Sequence, residues 1–337
     1  MKGEIQLDKL LAGLAYCRRI LLQLKDSRNI KHLPLIFKGF TPDKGLYYDF
    51  KTYKSENYIP DYKRYLSHVF INHKYKNLFK DKYSNFLYLR QYTDKLVPVY
   101  ALVDNGKCYL LGHSSLDELF EKENKFVIKP RTGWGGKGVA VLEVKENKYS
   151  IESKAVEKED IFKGFNNHVL VPYIRQHEYA ADINPQSLNT IRFLTCIIGD
   201  KAESIGALHR FGVSSTGSVD NFSQGGISAK INVDTGIIEK ACLLNKKKFK
   251  KLSITHHPDS NEPIVGLEIP FWQQIKKEIL ALHSSINYVK YVGWDIAITS
   301  DGYKIIESNH VSDIDVFQVH EPLLLNDLNK KFYDVYN

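Results

Sequence analysis

The chain has little cysteine: four in 337 residues, at Cys17, Cys108, Cys196 and Cys242, with no C-x-x-C pair. That spacing argues against a disulfide framework or a zinc knuckle and fits free thiols in a reducing compartment. No stretch reaches the roughly 18 uninterrupted apolar residues of a membrane span. Charges at Lys2, Glu4, Asp8 and Lys9 interrupt the N-terminus too soon for a signal peptide. The expected location is therefore the cytoplasm. Low-complexity tracts and internal repeats are also absent. With 43% hydrophobic and 26% charged residues, the composition is that of a globular chain, long enough for two or three subdomains.

Charge is present in excess, but unevenly. Residues 1–95 carry nineteen Lys and Arg against nine Asp and Glu, a net +10, which leaves −2 for the rest of a chain whose total is +8. A solvated basic surface is one reading. The other is an anionic partner such as a sugar nucleotide, a lipid-linked glycan carrier or the inner face of a membrane. Nucleic acid is not expected, because no base-reading motif accompanies the charge. In this region Leu7, Leu10, Leu11, Leu14, Leu21 and Leu24 recur at helical spacing, which predicts an amphipathic helix over 5–25. Its leucine stripe is expected to pack a core, with membrane-surface binding as the alternative use. Residues 26–95 read as short helices and loops, with turn signals at Gly39, Pro42–Gly45 and Pro60-Asp61.

From about residue 96 the pattern changes to short β-rich runs divided by Gly and Asn. Strands are predicted at Val97–Val103, Phe126–Lys129, Val139–Val144, His168–Ile174, Thr190–Ile198, Ser204–Val213, Ala229–Val233, Gly293–Thr299 and Tyr303–Glu307. Helices are predicted at Ser115–Lys122, around Val156–Phe162, at Phe271–Ile286 and at Glu321–Tyr336. Strand runs with helices set among them imply an α+β fold with antiparallel sheets.

Two segments carry chemistry. The first is Phe126-Val127-Ile128-Lys129-Pro130-Arg131-Thr132-Gly133-Trp134-Gly135-Gly136-Lys137-Gly138-Val139. A lysine ends an apolar strand, a loop with four glycines follows, and a second strand begins. Glycine tolerates positive φ and lets backbone N–H groups approach phosphate oxygens. The G-x-x-x-x-G-K-[ST] order is absent, so this is no Walker loop. It is either a strand–loop–strand phosphate cover or a plain hairpin.

The second is Gly293-Trp294-Asp295, an apolar strand, the turn Ser300-Asp301-Gly302, and a return strand ending in Glu307-Ser308-Asn309. An antiparallel turn at 300–302 brings Asp295 beside Glu307, and alternation puts Glu307 and Asn309 on one face. Two carboxylates and an amide oxygen make a hard-oxygen site of the kind magnesium prefers. The bland alternative is a pair of solvated hairpin charges.

The order of these two segments resembles the ATP-grasp superfamily over residues 95–310, most closely its sugar-transfer-associated family, whose genes lie among those for surface polysaccharides. Ser187–Arg192, Val219–Ile227 and Phe37–Pro42 support the resemblance. It implies an ATP-grasp fold, with two α+β subdomains of antiparallel sheet clamping ATP and Mg2+, behind a helical basic N-terminal region. The implied division is 1–94 for that region and 95–320 for the ATP-grasp domain, with a C-terminal helix over 321–337. Within the domain, 95–175 would cover the nucleotide and 176–320 would hold metal and substrate.

The resemblance also implies roles. Lys129 would bind the α- and β-phosphates, Gly135, Gly136, Lys137 and Gly138 would close over them, and Lys95 would be a further phosphate contact. Val171, Tyr173 and Ile174 would form the hinge that reads adenine, with Glu178 near the ribose, although Pro172 stands where the family has an acidic residue. Asp295, Glu307 and Asn309 match the magnesium ligands. Arg210 and Arg192 are the catalytic candidates, because a guanidinium can grip phosphate oxygens with two prongs. His209 and His310 read as structural.

The implied reaction is carboxylate–amine ligation through an acyl phosphate, giving ADP and phosphate. It would join an amino acid to a sugar acid or glycan precursor in polysaccharide assembly. A phosphotransferase acting on a sugar or lipid hydroxyl would use the same nucleotide residues, and a non-catalytic ATP-binding subunit would keep them without turnover.

Overall fold

The computed structural model describes residues 2–335 apart from Trp134, 217–221, 223, 224 and 246–249. The basic N-terminal region is helical. Its α-helices are α1 (Lys2–Gln23), α2 (Lys44–Tyr47), α3 (Asp61–Phe70), α4 (Lys76–Lys80) and α5 (Lys82–Leu89), and a 3-10 stretch runs over Ser27–Lys38. The leucine stripe of α1 does not pack a core. Leu7, Leu10, Leu11, Leu14 and Leu21 are each more than half exposed, while Ala12 and Tyr16 on the opposite side are buried. Spacing shows that a helix has an apolar face; it does not say whether anything in the same chain covers it.

Two seven-stranded antiparallel sheets follow. The first comprises β1 (Ala101–Asp104), β2 (Lys107–Leu110), β3 (Lys125–Pro130), β4 (Ala140–Lys145), β5 (Lys148–Ile151), β6 (Lys154–Val156) and β7 (His168–Pro172), in the order β2-β1-β7-β3-β4-β5-β6. Helix α6 (Leu116–Lys122) covers one face, where Leu119 meets Phe126, Ile128 and Leu142. Ser115 caps that helix by accepting from the Glu118 N–H at 3.1 Å.

The second sheet comprises β8 (Thr190–Ile198), β9 (Lys201–Phe211), β10 (Ile227–Ile231), β11 (Ile238–Asn245), β12 (Lys250–Ile254), β13 (Tyr291–Thr299) and β14 (Gly302–Asn309), in the order β12-β11-β10-β9-β8-β13-β14. Among the described residues, the α-helices of this half are the short α7 (Glu178–Ile183), α8 (Trp272–Ser285), α9 (Asp315–Gln318) and α10 (Asp327–Asp334). On one face of the sheet, Ile275, Ile279 and Leu282 of α8 pack on Phe193, Trp294 and Ile296. On the other, Leu194, Cys196 and Leu208 meet Phe317 and Phe332. Coverage on both faces explains why β13 reads as an almost continuous buried run.

Several expectations are corrected. The strand predicted from Val97 enters the ladder only at Ala101, after Pro98, which has no N–H to donate. The helix expected around Val156–Phe162 is a single 3-10 turn over Lys158–Asp160. The C-terminal helix is broken: Leu323–Leu325 is 3-10, and Asn326 caps α10 by accepting from the N–H groups of Leu328 and Asn329. Strands β2, β5, β6, β11 and β12 were not expected. In the β4–β5 and β5–β6 hairpins, Glu146-Asn147 and Glu152-Ser153 take positive φ without the Asn-Gly signature that announces such turns.

Candidate active site

The pairing of β13 with β14 sets Asp295 opposite Glu307 and Gly293 opposite Asn309. The next strand across, β8, sets Arg192 opposite Asp295, and β9 sets Arg210 opposite Thr190. Strand register alone therefore gathers two carboxylates, an amide and two guanidiniums on one stretch of sheet.

Arg192 grips Asp295 with two prongs. Its Nη2 donates to Oδ2 at 2.9 Å and its Nε to Oδ1, while Nη1 donates to Ser312 Oγ at 2.5 Å. Arg210 Nη2 lies 3.3 Å from Asp295 Oδ2, and the Arg210 guanidinium donates to Thr190 Oγ1. Asp295 is only 7% exposed. Burial by itself would raise its pKa, but the two arginines more than offset this and hold the carboxyl below its ordinary 3.8. Gly293 is required by the same arrangement, since a Cβ there would lie 2.7 Å from Ser312.

Lys129, at the end of β3, reaches this group from the first sheet, its Nζ 3.5 Å from the Ile306 carbonyl. Burial pushes its ammonium down to about 8, with Lys82 acting in the same direction and Glu307 and Asp295 opposing. A lysine so placed gains from a bound anion. The loop beyond it takes positive φ at Gly133, Gly135, Gly136 and Gly138. Gly135, Gly136 and Lys137 line a cavity of 1190 Å³, together with Lys129, Asp295, Glu307 and Asn309. Arg192, Arg210, Val171, Tyr173 and Ile174 line it too. Such a volume exceeds the roughly 300–1,000 Å³ of ordinary small-molecule sites and leaves room for more than one reactant.

Three of the expected site residues are not brought to the cavity lining. Lys95 Nζ lies over the Tyr303 ring at 5.8 Å and near Asp94. Glu178 is exposed at the start of α7. Gly138 sits against Pro130, where a Cβ would come within 3.0 Å of Cγ. Residues 219–221, 223 and 224 of the Val219–Ile227 segment lie outside the described residues, as does Trp134. His209 is fully buried, stacked on Phe211 at 4.0 Å and bonded to the Tyr179 hydroxyl at 2.7 Å. Burial pushes its pKa to about 3, which fits a neutral structural histidine.

The sequence reading missed two contributions. Lys82, at the start of α5, lies 3.6 Å from Glu307 Oε1 and donates to the Gly133 carbonyl at 3.1 Å, so it ties the glycine loop to the carboxylate. Arg131 next to the loop pairs with Asp81 at 2.8 Å.

The N-terminal region supplies the other contribution, a cavity wall that includes Arg19, Gln23, Asp43, Lys44 and Tyr47. Lys44 is 1% exposed and donates to Asp315 at 2.7 Å, with Asp61 at 3.4 Å and Asp43 at 3.8 Å. Arg64 joins the cluster through Asp61 and Asp313. Thr41, in the Phe37–Pro42 segment, bonds both Asp43 and Asp61, which shows what that segment builds. Its presence was the one available signal.

Asp295, Glu307 and Asn309 offer hard oxygen donors from adjacent strands. Too few to fill an octahedron, they fit a magnesium ion that keeps waters and phosphate oxygens in its shell. Among the described residues no group of three or more His, Cys, Asp or Glu forms a protein-only metal cage. Lys129, Arg192, Arg210 and the glycine loop fit a polyphosphate.

The family described as sugar-transfer associated ATP-grasp matches residues 61–331. The match begins before residue 95 and so takes in α5 and Lys82. Among solved structures, the chain is similar to a RiPP-associated ATP-grasp ligase from Chryseobacterium gregarium in complex with ADP and a leader and core peptide. The identity is 12% over 78% of this chain and 60% of that one, with a TM-score of 0.41. It is also similar to an L-amino acid ligase from Bacillus licheniformis, at 10% identity over 81% and 50%, TM-score 0.43. A third is the N5-carboxyaminoimidazole synthetase from Staphylococcus aureus complexed with ADP, at 12% identity over 75% and 52%, TM-score 0.40. The chain thus spans about half the length of these structures, and the family match alone carries the assignment. No curated protein sequence matches the chain.

Proposed function

The chain belongs to the sugar-transfer associated ATP-grasp family, whose cofactors are ATP and Mg2+, and from that premise we propose that it is an ATP-dependent carboxylate–amine ligase. One observation carries the reading: Lys129, Arg192 and Arg210 converge with Asp295, Glu307 and Asn309 in a single cavity beside a glycine loop. ATP would supply the phosphoryl group that turns a carboxylate into an acyl phosphate, and an amine would displace that phosphate to leave an amide. The bound Mg2+ would offset charge on the phosphate oxygens.

The residues of the chain have the tasks that follow from their chemistry. Asp295, Glu307 and Asn309 hold the metal. Lys129 neutralises the nucleotide phosphates. Arg210 and Arg192 present guanidiniums to the transferring phosphoryl group. Gly135, Gly136 and Lys137 close the cavity against water, which an acyl phosphate requires. Val171, Tyr173 and Ile174 form the adenine side. The division of labour follows the two sheets, with 95–175 on the nucleotide and 176–320 on metal and substrate. The substrates consistent with the family are an amino acid and a sugar acid or glycan precursor of surface polysaccharide, an assignment by analogy.

The test is turnover of Mg-ATP by the purified chain against a grid of sugar acids and amines, resolving ADP, AMP, phosphate and new masses. ADP and phosphate released together only when acid and amine are both present is the expected result. A phosphorylated acceptor without free phosphate would replace the ligase with a phosphotransferase.

A further inference from the structure

Helix α1 is held to the fold by one side only. Ala12 and Tyr16 are buried, and the Tyr16 hydroxyl donates to the Phe40 carbonyl at 3.2 Å. Arg19 and Gln23 donate to Asp43 and line the cavity wall. Asp8 is engaged by Lys76 at 3.1 Å. The opposite side carries Leu7, Leu10, Leu11, Leu14, Leu21 and Leu22, exposed by 52–67%. The 3-10 stretch that follows adds Ile30 at 53% and Phe37 at 94%. Six large apolar side chains on one face of one helix form a patch rather than scattered exposure.

The charge around the patch selects its occupant. Arg18 on α1, Lys25 in the turn after it, and Lys31 and Lys38 on the 3-10 stretch are all exposed. Residues 1–38 hold eight Lys and Arg against three Asp and Glu, of which Asp8 pairs with Lys76 and Asp26 with Arg28. A net basic segment carrying an exposed apolar helix face fits the headgroup layer of an anionic bilayer. A second copy meeting this face would bring like charges together. No helix among the described residues is long and apolar enough to cross a membrane.

We propose that the exposed leucine face of α1 is an in-plane binding surface for anionic phospholipid membranes. It does not depend on the chemistry assigned to the cavity. Because the inner side of the same helix forms part of the cavity wall, docking would set that wall beside the bilayer, within reach of a lipid-linked reactant.

The test is co-sedimentation of the full chain with vesicles of phosphatidylcholine alone and of phosphatidylcholine mixed with phosphatidylglycerol. Binding to the mixed vesicles, weakened by added salt, is expected, with little to the neutral ones. A Leu14→Glu/Leu21→Glu variant should bind the mixed vesicles at least ~10-fold more weakly, with an unchanged thermal unfolding midpoint. A Lys25→Glu/Lys31→Glu variant, which keeps the leucines, should also lose affinity. No binding by the native chain would overturn the proposal, as would binding indifferent to both variants. The Leu7, Leu10, Leu14 and Leu21 spacing also suits a two-helix seam. Light scattering that shows a dimer broken by the leucine variant, without vesicle binding, would assign the face to a second copy instead.

Discussion

Lys129 offers a test of the nucleotide site that reads protons rather than products. Its ammonium is pushed down to about 8 from an ordinary 10.5, first by burial and then by Lys82. A bound polyphosphate supplies the missing counter-charge and returns the pKa towards its ordinary value. The sign follows directly. Below pH 8 the free protein already carries the proton, so affinity is flat. Above it, binding must take a proton up, so affinity falls as pH rises. The dissociation constant of Mg-ATP should therefore weaken about 10-fold between pH 7 and 9, approaching a limit of ~3.4 kcal/mol only above pH 10.5.

Calorimetry in buffers of different ionisation enthalpy should find uptake of about half a proton at pH 8 and about 0.9 at pH 9. ATP titrates as well, so the comparison is with Lys129→Arg, whose guanidinium stays charged throughout. That variant should bind without the lysine's share of proton uptake and with a flatter pH profile. Identical profiles for the native chain and Lys129→Arg would show that Lys129 does not face the phosphates.

The remaining expectations concern the cluster around Asp295 and the buried charges behind it. Asp295→Asn should abolish turnover and leave Arg192 and Arg210 short of a buried counter-charge, a loss of about 3–5 kcal/mol in urea unfolding; retained turnover would refute the metal assignment. Gly293→Ala puts a methyl 2.7 Å from Ser312, which should displace the Arg192 anchor, cost about 1–3 kcal/mol and lower activity. If its activity matched the native chain, Arg192 would need no such placement. Lys44→Met leaves three carboxylates in the interior, Asp43, Asp61 and Asp315, with only Arg19 and Arg64 as counter-charges among the described residues and should lower stability by about 3–5 kcal/mol near pH 7. Burial would raise the Asp315 pKa, but Arg64 and Lys44 more than offset this and hold it well below the ordinary 3.8. Its contribution is therefore present above that value and lost as pH falls. The gap between native and Lys44→Met unfolding midpoints should narrow in acid, and a gap independent of pH would count against the ion cluster.

What the sequence determined by itself is local. The lysine–glycine segment and the Asp295…Glu307-Ser308-Asn309 hairpin each fold on themselves, so alternation and a short turn decide which side chains share a face. Those two segments, in that order, pointed to the ATP-grasp superfamily, and Ser187–Arg192, Val219–Ile227 and Phe37–Pro42 narrowed it to the family. The sequence could not choose between Lys95 and Lys82, because both precede the first sheet and only packing of α5 against the glycine loop brings one of them to Glu307. Nor could it show that Arg19, Gln23 and Lys44 wall the cavity, since Lys44 meets Asp315 across 271 residues of chain. The helical spacing of the α1 leucines was plain. That they face outward was decided by the tertiary structure, in which Ala12 and Tyr16 take the contact side and nothing else in the described chain covers the leucines. Periodicity encodes which residues share a face. What lies against that face depends on distant segments, whose positions follow from packing the whole chain.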